Sequence, residues 1–239
     1  MLAARARGVI TSRYRRALAR AAVNAAEAGL PVVPGAWWSA ADRRFRCDLA
    51  DCGRTGPHPA VRPSSTSGPG TGLAEHAVRP PEAVAARWRR QPYAVLVPTG
   101  ESCDVVDVPA ALGRSLAVRL DARSALGPVI AAGPRWFFLT EPGGRLPALG
   151  GDVLVHGRGS WIMLPPSLGP GGEAATWLVR PAGRAPEPGV APVRAGWVLP
   201  DRDEVIRAIT PVVVPGPRGA GPRGAGPVAA VRQASPTPA

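Results

Sequence analysis

The chain has 239 residues, enough for one domain with a real core, or for one domain with loose ends. Its 29 basic residues, every one an arginine, outnumber 17 acidic ones for a formal charge of +12, and 29 Gly with 30 Pro make about a quarter of it turn formers. Three cysteines are too few for a disulfide scaffold, and no run of about 18 apolar residues is present to span a bilayer, so a soluble, cytoplasmic protein is expected.

The first 26 residues carry no acidic side chain, as in an organelle transit peptide, but the same stretch reads well as the start of a domain. Residues 1–11 are a short tail. "SRYRRALARAAVNAAEA" then predicts a helix from Ser12 to Ala28, rich in alanine, with Thr/Ser capping candidates before it and Gly29 after it. "PVVPGAWW" is a short apolar strand running into a turn. Residues 39–80 are loop-like, with a flexible insertion at "RPSSTSGPGTG" (62–72). "PPEAVAARWRRQ" (80–91) is a second helix with proline in its first turn.

From Tyr93 onward the texture is that of strands. "YAVLVPTG", "CDVVDV", "GPVIAA", "RWFFLTE", "GDVLVHG", "SWIMLPPS" and "ATWLVRP" are short β-type runs between Gly/Pro turns, interrupted by one helix at 109–123. The fold class that follows is α+β, a mostly antiparallel sheet with flanking helices, in a domain spanning 12–185. Residues 186–239 read as a mostly disordered Pro/Gly/Arg-rich tail, "GPRGAGPRGA" included, with a short helix at 201–209. A collagen-like reading fails because glycine does not keep a period of three.

Two constellations carry chemistry. In "CDLADCGRTGPHP", Cys47, Cys52 and His58 offer two thiolates and an imidazole within a dozen residues, a candidate Zn²⁺ set lacking a fourth ligand. His76, Cys103 or Asp51 would have to supply it, or the site is open or vestigial. The competing reading is two loop cysteines and a turn histidine. The second constellation is "CDVVDVPAAL". Side chains alternate along a strand, so Asp104 and Asp107, three apart, should point to opposite faces and not chelate one ion together. The aromatics Trp136, Phe137 and Phe138 are core candidates before they are a base-stacking platform, as are Trp37, Trp38, Trp88, Trp161 and Trp177.

The order of motifs resembles the bifunctional DNA primase/polymerase domain of the archaeo-eukaryotic primase superfamily, particularly its short actinobacterial-type members, over about residues 12 to 181. "AGLPVVPGAWW" is similar to the family's "G-w-x-V-x-P-x-x-P-G", and the Cys/His loop ending "GPHP" to its "C…C-x-x-P-G-K-H-P". "PEAVAARWRRQPYAVLVPTG" and "VVDVP" are similar to the family's "W-W-x-x-x-P-x-x-N-I-x-x-x-T-G" and "v-l-D-x-D". "AAGPRWFFLTEPGG" and "GDVLVHGRGSWIMLPPS" follow, similar to "T-x-G-G-x-H-x-y-F" and "D-x-r-g-x-G-g-y-v-v-x-P-P-S".

The resemblance implies an RRM-like sheet and a nucleotidyltransferase that holds two Mg²⁺ or Mn²⁺ ions on acidic residues. Asp107 takes the first carboxylate position and Asp152 the third, so these two are the catalytic and Mg/Mn-binding candidates. Pro109 falls where the second carboxylate belongs. The family's phosphate-contacting histidine falls at Arg135, and His156 is a local substitute ligand or phosphate contact. Two of four expected groups are thus changed, and "DVVDVP" looks like an eroded catalytic strand.

The expectation is a DNA primase/polymerase-like protein that binds nucleotides and nucleic acid, single-stranded DNA first, with catalysis impaired: a pseudoenzyme working beside separate replication proteins. The all-arginine charge favours phosphate partners, although a GC-rich genome writes the same composition. Two alternatives stay open, an enzyme using Asp107 and Asp152 within about 4–6 Å of each other, and a zinc-containing interaction protein.

Overall fold

In the computed structural model the described residues are 11–39, 41–42, 44–50, 52–54, 56–61, 73–145, 149–183 and 196–209. The expected flexible insertion at 62–72 and, of the expected tail, residues 186–195 and 210–239 lie outside them.

Helix α1 (Ser12–Glu27) starts where Thr11, in an extended conformation, accepts the Tyr14 amide on its side chain, and it stops at Gly29, whose φ of 83° is the left-handed turn an L side chain resists. Its buried stripe of Leu18, Ala22, Ala25 and Ala26 recurs at helical spacing. The small alanines let α2 (Pro81–Arg90) pack close, with Val84 and Trp88 facing inward. Proline opens α2 at N1, where its missing N–H costs nothing.

The apolar run after α1 splits into β1 (Val33–Gly35) and β2 (Trp37–Ser39), and β2 forms a ribbon with β3 (Arg44–Arg46). The remaining strands are β4 (Ala94–Pro98), β5 (Asp104–Pro109), β6 (Val129–Ala132), β7 (Arg135–Thr140), β8 (Leu154–His156), β9 (Trp161–Leu164) and β10 (Thr176–Val179). Helix α3 (Ala110–Asp121) follows β5 directly, and α4 (Arg202–Ile209) closes the described chain.

Every ladder is antiparallel and the fold is α+β, as the alternation of short apolar runs indicated. The sheet is not single, however. One has the order β1-β4-β9 and the other β10-β6-β7-β5-β8. The break comes between β4 and β5, where Gly100 (φ 95°) turns the chain and its amide donates to the Cys103 carbonyl. A Cβ at Gly100 would sit 2.3 Å from the Arg158 backbone, so the two loops meet only because that position is glycine.

Strand alternation divides β5 between two cores. Val105 joins Ile130 and Leu139 in a large core under α1, α2, β4 and β9. Val106 and Val108 face the other way, with Phe138, Leu116 and Leu120 of α3, and Val205 and Ile209 of α4. Gly113 lets α3 rest on Trp136; a Cβ there would lie 2.7 Å from the indole ring. Helix α4, placed by the sequence in the tail region, is therefore one wall of the second core. Of the tryptophans, Trp88 is fully buried, whereas Trp37, Trp38, Trp136, Trp161 and Trp177 are half-buried against core neighbours.

Candidate functional site

Asp104 and Asp107 serve opposite faces of β5, whose register with β7 runs without a break from Asp104↔Thr140 to Pro109↔Arg135. Asp104 looks toward α4. It is fully buried, accepts Arg202 Nη1 at 2.9 Å and the Gly143 amide at 2.9 Å, and leaves Oδ1 without a partner. Arg202, equally buried, also donates to the Gly144 and Arg145 carbonyls at 3.2 Å. This is a structural ion pair, and nothing local in the sequence announced it, because its partners lie 98 residues apart.

Asp107 looks the other way. On its face stand Phe137 and Leu154, directly opposite on the flanking strands, with Arg135 and His156 on the diagonals. Arg135 donates from Nε to Asp107 Oδ1 at 2.7 Å, and from Nη2 to the carbonyls of Asp107 (3.2 Å) and Asp152 (2.7 Å). His156 Nε2 lies 3.1 Å from Asp107 Oδ2. An ionised carboxylate only accepts, so Nε2 carries the proton. In the neutral imidazole, Nδ1 is then free to accept from the Ser160 hydroxyl, 3.1 Å away.

Phe137 stands edge-on to the imidazole, with ring centroids 6.2 Å apart. The loop bearing Ser160 is fixed from below by buried Thr99, which donates to the Gly157 carbonyl at 2.6 Å. Ser160 and Thr99 were not foreseen from the sequence; only register and loop packing bring them to the site.

Both oxygens of Asp107 are thus taken by nitrogen donors, in a site only 5% exposed at the aspartate. Asp152 precedes β8 on the surface and gives the site its backbone carbonyl, not its carboxylate. Pro109, where the second carboxylate was expected, ends β5 and caps α3, directly across from Arg135. Among the described residues, the only grouping of three or more His, Cys, Asp or Glu with ligand atoms close together is Cys47, Cys52 and His58. The donor set around Asp107 does not fit a pair of divalent cations. With Asp107 at −1, Arg135 at +1 and His156 neutral or positive, the trio has no net negative charge to attract one.

A model of the N-terminal domain of bifunctional DNA primase/polymerase matches residues 22–192. The chain belongs to that family. No curated protein and no solved structure matches it. Within this primase/polymerase domain the groups that bond the Asp107 carboxylate are a guanidinium and an imidazole. No helix among the described residues is long and apolar enough to cross a membrane.

The Cys/His loop forms a second site. The ligand atoms of Cys47, Cys52 and His58 all lie within 4.8 Å of one another, and Cys52 Sγ is 3.4 Å from His58 Nε2. The three thiols of the chain are free. Burial lowers the His58 pKa below the ordinary imidazole value, against a smaller opposing effect from the Gly56 carbonyl, and burial raises the Cys47 thiol. Of the candidate fourth ligands, Cys103 is sealed in the first core, where burial pushes its pKa up to about 12, and His76 is not part of the cluster. Asp51 lies outside the described residues.

Proposed function

We propose that this primase/polymerase-family chain binds nucleotide and nucleic acid and is impaired in nucleotidyl transfer. The observation that carries the reading is the capture of Asp107 by Arg135 and His156, which occupies both oxygens that a catalytic cation would need. Two-metal transfer depends on charge compensation at the reacting phosphate, and the loss of one carboxylate position to Pro109 removes a ligand outright.

The same trio suits an anion. Arg135 spends Nε and Nη2 on Asp107 and Asp152 and leaves Nη1 without a partner among the described residues, with its side chain 26% exposed. A guanidinium clamped on one edge by a carboxylate is pre-organised to meet phosphate oxygen on its free edge. Away from the site, Arg13, Arg16 and Arg20 of α1 and Arg89 and Arg90 of α2 are exposed and form no ion pair among the described residues, and the two helices pack together. Those arginines supply a basic surface for a phosphate backbone.

The test combines binding and chemistry on one preparation. Fluorescent single-stranded DNA and a nucleoside triphosphate are titrated at low and high salt, and primer extension and primer synthesis are run with Mn²⁺ beside an Asp107→Ala variant. Expected are salt-sensitive binding and no incorporation by either protein. Incorporation that Asp107→Ala abolishes would overturn the impaired-catalysis reading, and absence of binding at low salt would overturn the binding one.

A further inference from the structure

We propose that Ser160, His156 and Asp107 form a nucleophilic relay in which Ser160 cleaves carboxylic esters through an acyl-serine intermediate. The three side chains come from the turn between β8 and β9, from β8 and from β5, and they touch in series. The Ser160 hydroxyl lies 3.1 Å from His156 Nδ1, and His156 Nε2 lies 3.1 Å from Asp107 Oδ2. Both separations suit a nucleophile, its general base and the group that orients the base. The two ring nitrogens exchange the places they take in the familiar serine hydrolases, which leaves the acid–base chemistry of the imidazole unchanged.

Asp107 decides which nitrogen is basic. Its carboxylate accepts from Nε2, so the neutral ring presents the Nδ1 lone pair to the hydroxyl. Arg135 holds the other carboxylate oxygen at 2.7 Å and keeps it from turning away. The turn that carries the nucleophile is equally fixed. The Ser160 amide donates to the Gly157 carbonyl at 3.1 Å, with Gly159 at the corner in the left-handed region (φ 87°). Thr99 clamps both ends, its amide donating to the Ser160 carbonyl at 3.0 Å and its hydroxyl to that of Gly157 at 2.6 Å. The Gly159 amide has no acceptor among the described residues. It is a donor next to the nucleophile, of the kind that stabilises a tetrahedral oxyanion. Ser160 and His156 are half-buried, so neither is sealed in a core.

In the first step Ser160 Oγ bonds to the ester carbonyl carbon while its proton passes to His156 Nδ1. Asp107 then faces an imidazolium at Nε2. The tetrahedral adduct collapses by breaking the bond to the ester's alcohol oxygen, which leaves with the proton from Nδ1. Water attacks the acyl-serine with its proton taken by Nδ1, the carboxylic acid departs, and the proton returns to Ser160. The Nη1 edge of Arg135, unpartnered among the described residues, favours an ester that carries an anionic group. The reaction is read without nucleotide or nucleic acid, so its failure would leave the binding reading untouched.

The test starts with the unaltered full chain and diisopropyl fluorophosphate, which phosphorylates an activated serine with loss of fluoride. Peptide mass mapping should find one label per chain, on Ser160. Ser160→Ala should abolish it, and Ser115→Ala, a change on the exposed side of α3, should leave it intact. His156→Gln and Asp107→Asn should each slow labelling by about 10²–10⁴-fold. With 4-nitrophenyl acetate as substrate, the Asp107→Asn loss should fall on kcat with KM little changed, because Asp107 sets the tautomer and does not touch the ester. The mono-4-nitrophenyl ester of succinate should show the higher kcat/KM. Labelling of the unaltered chain does not depend on the variants folding. An unaltered chain that takes no label, or takes it on another residue, overturns the proposal, as does labelling undiminished in His156→Gln. Equal kcat/KM for the two esters overturns the anionic substrate class.

Discussion

Replacing Arg202 by Met would test whether α4 is held to the domain by its buried ion pair. The perturbation removes Nη1 from Asp104, which is 1% exposed and already has one oxygen without a partner, and leaves that carboxylate with the Gly143 amide alone. Breaking a buried pair from one side strands a charge and costs about 3–5 kcal/mol. The carbonyls of Gly144 and Arg145, which also lose donors, sit on exposed residues where water replaces the arginine. The loss should come almost wholly from Asp104. For a domain of this size it lowers the melting temperature by roughly 6–20 °C. Urea unfolding followed by fluorescence of the 7 tryptophans reads it directly. The decisive companion is Asp104→Leu/Arg202→Met, which removes both charges and should recover most of the stability. A single variant that loses less than about 1 kcal/mol, or a double variant no more stable than the single, would refute the reasoning.

Three further outcomes follow from the same geometry. Gly113→Ala should destabilise by about 1–3 kcal/mol in urea, because its methyl would meet the Trp136 ring at 2.7 Å; a neutral result would mean α3 is free to lift off β7. The Tyr93 hydroxyl is pushed up to about 12 from the ordinary 10.0, first by burial and then by Asp48, so the fold favours its neutral form. That contribution is complete below pH 10 and lost as pH rises toward 12, so melting temperature should fall across this window, less steeply in Tyr93→Phe. A Tyr93→Phe profile as steep as the parent's would contradict it. Finally, Arg13→Gln/Arg16→Gln/Arg20→Gln should reduce the slope of log affinity for single-stranded DNA against log salt by about 2, if each arginine meets one phosphate. An unchanged slope would place the nucleic acid elsewhere.

What the sequence disclosed and what it withheld divide by the range of the interactions. The bounds of α1 were legible because Thr11 and Gly29 act within one turn of the helix ends. Period-two alternation put Asp104 and Asp107 on opposite faces, and the short spacing of Cys47, Cys52 and His58 pointed to their clustering. The family was legible as well, because its turns and apolar strands follow one another in order. The state of Asp107 was not. Arg135 and Asp107 face each other only through the β5–β7 register, and His156 arrives on a third strand whose hydrogen bond to Ser160 no local pattern encodes. The separation of β4 from β5 into different sheets rests on how the loops at Gly100 and Arg158 touch, again a contact between distant segments.

The pairing of Asp104 with Arg202 also bears on how the chain is made. A ribosome delivers β5 long before α4, and synthesis at about 5–20 residues per second separates the two by several seconds. During that interval Val106 and Val108 have no α4 to cover them, and Asp104 lacks its arginine. The first core can close once the chain through β9 and Ala175 has been delivered, but the second must wait for the helix. It is in that window that a chaperone would find apolar surface to hold.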